Sequence, residues 1–146
     1  MNALSKLMTR FAETLSQGAP QQILTCFIAD DPAVSLLFGT QEEWARGPDE
    51  VAAAIEAFVE QEARPHVAFE EVQAHAIGTM SHIVSGLVTY RWTEGGCAQK
   101  RASRFNLVAR QHGDAFGVLH FAEAPIAPLI ELQQHYQRIA EEGHVP

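Results

Sequence analysis

The stretch that decides the fold runs from Arg101 to Ala122 and reads RASRFNLVAR-QHGD-AFGVLHFA. Two apolar segments, Arg101 to Arg110 and Ala115 to Ala122, flank the glycine-containing turn Gln111-His112-Gly113-Asp114, which is the pattern of a β-hairpin. Immediately upstream, Ile83 to Trp92 reads as another strand, closed by the turn Glu94-Gly95-Gly96. Before that, Val67, Phe69 and Val72 predict a fourth strand with an irregularity near Glu70 and Glu71. Four successive strands on short turns make an antiparallel meander.

The first half has a different period. Leu4, Leu7, Met8, Phe11 and Leu15 recur at helical spacing, with Ser5, Lys6, Arg10 and Glu13 off the stripe. Gly18 ends that helix and Pro20 opens a short second one with Ile23, Leu24 and Phe27. Asp30-Asp31-Pro32 is a turn, Val34 to Phe38 a short buried strand, and Gly39 to Arg46 a polar loop interrupted by Trp44. Gly47-Pro48-Asp49-Glu50 then starts a helix whose apolar side is Val51, Ile55, Phe58 and Val59. Beyond Pro125 and Pro128 a last helix is expected over about 126–142, with Leu129, Leu132, Tyr136 and Ile139 on one edge. Its 3-4-3 spacing fits a dimerising seam or a helix covering its own sheet. Helices gathered before an antiparallel sheet make an α+β domain.

Composition bounds the function. The 146 residues form one domain, 47% of them apolar, which is enough for a buried core. Ten Lys and Arg against 18 Asp and Glu give a net charge of −8, the wrong sign for a phosphate-backbone binder. No run approaches the length of a membrane span and no cationic leader precedes an apolar stretch. Cys26 and Cys97 have neither close spacing nor further partners and read as reduced thiols, which points to the cytoplasm. Seven histidines form no local ligand pair, so no metal or other cofactor is expected.

The segment from Phe38 to Trp44, followed by Gly47-Pro48-Asp49-Glu50 and a helix, resembles the SnoaL-like branch of the NTF2-like superfamily. So do Arg104 to Arg110 and, after the turn, Phe116-Gly117-Val118-Leu119-His120-Phe121. The last strand of that family reads aromatic-x-apolar-x-His-x-His-x-Ser; here Phe116 stands for the usual tryptophan and His120 matches the first histidine. Ala122 and Ala124 replace the second histidine and the serine. The resemblance spans about residues 3 to 125. It implies a cone, a curved sheet wrapped around the N-terminal helices with a pocket at the wide end. It also implies a homodimer through the outer sheet face, which would cover Phe105, Leu107, Leu119 and Phe121.

Hairpin register decides which side chains share the pocket. With His112-Gly113-Asp114 as a three-residue loop, Arg110 opposes Phe116, Val108 opposes Val118 and Asn106 opposes His120. Arg104, Asn106, Val108, Phe116, Val118 and His120 then form one pocket wall. A four-residue loop would instead set Phe105 opposite His120 and remove Arg104 from that face. In this wall His120 is either a general acid/base or a core histidine satisfied by Asn106. Arg104 either anchors an acidic ligand or pairs with Glu123 at the sheet edge. Trp44 is a lid or an outer plug, and Tyr90 with Trp92 either lines the pocket or serves packing or a subunit contact. Catalysts of the superfamily typically use a strand-borne acid, and Ile83 to Trp92, Arg101 to Arg110 and Ala115 to Ala122 contain none. Three functions are compatible with this: a homodimeric binder of a small, partly apolar ligand, an enzyme working through His120, or a scaffold with a filled cone.

Overall fold

A computed structural model of the chain describes residues 2–61, 63–126 and 137–141. Helix α1 spans Ala3–Gln17; the Asn2 side chain accepts the Ser5 N–H at 2.8 Å at its start, and Gly18 ends it in the left-handed region at φ 67°. Helix α2, Pro20–Leu24, has proline in its first turn. Strands β1 (Ser35–Leu37) and β2 (Ala45–Arg46) follow, then helix α3 (Pro48–Gln61), with Asp49 and Glu50 at the positive end of its dipole. Strands β3 (His66–Ile77), β4 (Ser81–Glu94), β5 (Cys97–His112) and β6 (Ala115–Pro125) complete one six-stranded sheet in the order β2-β1-β6-β5-β4-β3. The meander is antiparallel, and β1 joins its edge parallel to β6. No helix among the described residues is long and apolar enough to cross a membrane.

Two bulges bend the sheet. In β3 the register slips between Glu70 and Gln73, and Glu71 takes φ 53°. The slip sits opposite Gly86, where a Cβ would lie 2.7 Å from the Glu70 carbonyl oxygen. In β6, Ala109 pairs with Val118 but Val108 pairs with His120, so Leu119 is the extra residue.

The concave face is filled by aromatic packing. Seven of the eight phenylalanines form one connected cluster centred on Phe11, which meets Phe121 at 5.2 Å, Phe27 at 5.6 Å and Phe69 at 5.6 Å. Phe38 stacks on Phe58 at 4.2 Å, and Phe105 joins through Phe69 at 4.9 Å. Each such contact contributes about 0.5–1.5 kcal/mol beyond the burial of its area. The expected C-terminal helix falls mainly outside the described residues, Leu129, Leu132 and Tyr136 among them; residues 137–141 are helical.

Candidate functional site

Helix α1 presents two neighbouring edges to the sheet. Leu7, Phe11 and Leu15 are buried in the core, and Leu4, Met8, Ala12 and Ser16, four residues apart along one ridge, border a groove of about 870 Å³, with Met8 also a buried member of the core. The opposite wall is the inner side of β3, Val67 and Phe69 before the bulge and Ala74 after it, with Val84 behind. The small side chains of Ala12 and Ser16 leave the space open. Ser16 also ties the two walls together, since its hydroxyl donates to the Ala12 carbonyl at 2.8 Å and accepts the Val67 N–H at 2.9 Å. Asn2, Ser5, Glu13 and His66 set polar groups around this apolar trough.

The hairpin register differs from the one expected. His112 pairs with Ala115, leaving Gly113 (φ 65°) and Asp114 as a two-residue turn, and the displaced residue is absorbed at Leu119. A two-residue turn with positive φ matches the twist of the flanking strands. Arg104, Asn106, Val108 and His120 still share a face, with His120 opposite Val108 instead of Asn106, but it is the outer face. Phe116 and Val118 lie before the bulge and turn inward, away from that group. Phe105, Leu107 and Phe121, expected on the outer face, are core residues no more than 2% exposed, and Leu119 is half-buried at the bulge. The physical reason is area: burying two phenylalanines and a leucine gains far more than burying an arginine, an asparagine and a valine.

Tyr90 and Trp92 do turn inward. Tyr90 is wholly buried and Trp92 packs against the core. Trp44, 41% exposed, stacks on His120 with ring centroids 5.2 Å apart. His120 bonds Ser35 Oγ through Nδ1 at 2.7 Å, and burial holds its pKa below the usual histidine value. Cys26 is a buried thiol whose pKa burial pushes up. Among the described residues no three His, Cys, Asp or Glu side chains gather so as to hold a metal ion.

The sequence reading missed Glu123 as an interior residue. It is not the partner of Arg104, which lies on the other face; it points into the cone and is 6% exposed. The Tyr90 hydroxyl donates to Glu123 Oε2 at 2.8 Å, and the Gly39 N–H donates to the same oxygen at 3.2 Å. The Arg101 guanidinium lies over the Tyr90 ring, 4.4 Å from its centroid. Burial raises the carboxyl pKa, and the Tyr90 and Gly39 hydrogen bonds and Arg101 oppose that rise. A strand-borne acid is therefore present, one residue beyond the acid-free stretch from Ala115 to Ala122. Its signal was parity, since Glu123 lies two residues after Phe121.

Solved structures with the same arrangement of helices and curved sheet decide the architecture. The fold is NTF2-like. A cystatin-like-fold protein from Caulobacter vibrioides superposes with a TM-score of 0.70 at 16% identity, covering 93% of this chain and 96% of that one. An NTF2-like superfamily protein from Salmonella enterica gives 0.71 at 12% identity, with 86% and 90% covered. A ketosteroid isomerase-like protein from Erwinia carotovora gives 0.67 at 14% identity, with 86% and 95% covered. At such identities the likeness is one of NTF2-like fold alone. No protein-family model and no curated protein matches the sequence.

Proposed function

We propose that this NTF2-like domain binds a small, partly apolar ligand in the groove between α1 and β3. The observation that carries this reading is the groove itself, about 870 Å³ with apolar walls and polar groups at its rim. That volume suits a compact organic molecule, and such an apolar trough is the usual form of a small-molecule site. A binding role is favoured over proton-transfer chemistry because Glu123, the buried acid that points into the cone, does not line the groove.

The probe for this reading is 1-anilinonaphthalene-8-sulfonate, whose fluorescence rises on entering apolar sites. Ala12→Trp places an indole in the trough, on a helix position that is only half-buried. The wild-type protein is expected to enhance the dye saturably, and the variant to lose about tenfold in affinity with an unchanged far-ultraviolet spectrum, a difference of about 1.4 kcal/mol. Equal enhancement by both proteins would place the dye elsewhere and remove the support for the groove.

A further inference from the structure

Strand pairing lines up three polar side chains in one row across the sheet edge. Ser35 on β1 is the register partner of Arg46 on β2 and of His120 on β6. Register partners in neighbouring strands project from the same face side by side, and the Ser35 hydroxyl and His120 imidazole are in hydrogen-bond contact at 2.7 Å. They open on a cavity of about 410 Å³ whose apolar walls include Pro32, Val34 and Trp44. This cavity is separate from the α1–β3 groove and shares no residue with it.

The row has unused capacity for an anion. Among the described residues the Arg46 guanidinium makes no ion pair; only its backbone N–H is engaged, by Glu50 Oε1 at 3.3 Å. His120 uses Nδ1 on Ser35 and leaves Nε2 as its second polar atom. We propose that Arg46, Ser35 and His120 form a binding site for a small organic carboxylate whose apolar body rests against Trp44 and Pro32. A planar guanidinium beside a hydroxyl suits the two oxygens of a carboxylate. The chain as a whole carries a charge of −8, which opposes any anion, so a site of this kind depends on its local donors.

The shared proton between Ser35 and His120 makes binding depend on pH. With Nδ1 unprotonated, the Ser35 O–H donates to the ring and cannot serve a ligand. Once Nδ1 carries a proton it donates to Ser35 Oγ, and the Ser35 hydrogen is released toward the carboxylate. An imidazolium adds positive charge and a second donor at Nε2. Carboxylate binding is therefore linked to proton uptake, and affinity rises as pH falls through the His120 pKa. The other charged groups around the row do not reverse this sign. Glu50 is bonded to the Arg46 N–H, and Asp31 at the loop before β1 is ion-paired with Arg110 of β5.

The test is a titration of the full chain with benzoate, read from the His120 ring signals and the Trp44 indole N–H in nitrogen-15 spectra. Benzamide, inorganic phosphate, and the variants Arg46→Gln and Ser35→Ala complete the set. Benzoate is expected to shift both residues saturably and to bind about threefold tighter at pH 5.5 than at pH 7.5. Arg46→Gln is expected to weaken it about tenfold, and Ser35→Ala to lessen the pH dependence to the part carried by the imidazolium charge. Benzamide is expected to leave the signals in place. No saturable shift with benzoate, or equal shifts with benzamide, overturns the proposal. Binding of phosphate without benzoate overturns the assignment to a carboxylate. Affinity unchanged in Arg46→Gln overturns the row as the site.

Discussion

Glu123 and Phe121 share backbone parity on β6, so a carboxyl group enters the cone beside the phenylalanine cluster. Oε2 accepts from Tyr90 and Gly39, whereas Oε1 is buried without a well-formed hydrogen bond, and the Ser103 hydroxyl also favours the charged form. Such an oxygen is tolerated better in a protonated carboxyl than in a carboxylate. Because burial raises the folded-state pKa, the folded and unfolded chains both hold the proton at low pH. As pH rises, the unfolded state ionises first, and stability falls until the folded pKa is passed. Glu123→Gln keeps a carbonyl for Tyr90 and Gly39 and removes the titration. The variant is expected to gain on the wild type between pH 4.5 and pH 8 by an amount on the order of 1 kcal/mol, the scale of one altered buried polar group. Urea midpoints at the two pH values measure this. A variant weaker by the same margin at both would mean that attraction to Arg101 keeps the carboxylate ionised.

At the scale of elements, the β3 bulge shapes the candidate groove. Before it, Val67 and Phe69 face inward; after it, Ala74 pairs with Val84 and the inward parity has switched from odd to even numbers. The switch requires a residue without Cβ at position 86, because the carbonyl oxygens of Glu70 and Glu71 lie 2.7 and 3.0 Å from where that Cβ would be. Gly86→Ala gains about 0.4–1 kcal/mol from the unfolded chain but must displace backbone, which costs about 1–3 kcal/mol. A fall in Tm of about 3–8 °C is expected by calorimetry. An unchanged Tm would show that the bulge yields freely. This irregularity was legible in the sequence because two glutamates break an apolar alternation after Phe69. The hairpin after β5 was legible as a hairpin but not in register, since Gln111-His112-Gly113-Asp114 accommodates several loop lengths and nothing local reveals the bulge at Leu119. The bulge restored the shared face of Arg104, Asn106 and His120 that a shorter turn would have broken, while the burial of Phe105, Leu107 and Phe121 set that face outward. The groove edge of α1 was hidden for another reason: Leu4 and Met8 match a core stripe, and only the small residues Ala12 and Ser16 continuing their ridge distinguish a trough from a packed contact.

At the scale of the molecule, inverting the sheet faces changes where a second copy could bind. A homodimer through Phe105, Leu107 and Phe121 would have to open the core, so a dimer on the outer face rests on Ile83, Leu87 and Val108 instead. These three lie together, since Ile83 pairs with Val108 and Leu87 is two inward-outward periods along β4 from Ile83. An antiparallel sheet can leave one face in water, but that face then usually alternates to polar residues. Here Ile83 is 39% exposed and Leu87 and Val108 are half-buried, with Ser85, Arg104 and Asn106 as the polar residues between them. We propose a two-fold contact centred on this patch, in which the same residues meet their own copies. Light scattering coupled to size exclusion is expected to give twice the 16.1 kDa chain mass. Ile83→Lys with Leu87→Lys is expected to halve that mass, because like charges then meet across the two-fold axis, while leaving the core packing behind them unchanged. A wild-type mass of 16.1 kDa would remove the dimer altogether. A dimer that survives both lysines would move the contact to another surface, with the exposed apolar hairpin end at Ile77 and Met80 the first place to substitute.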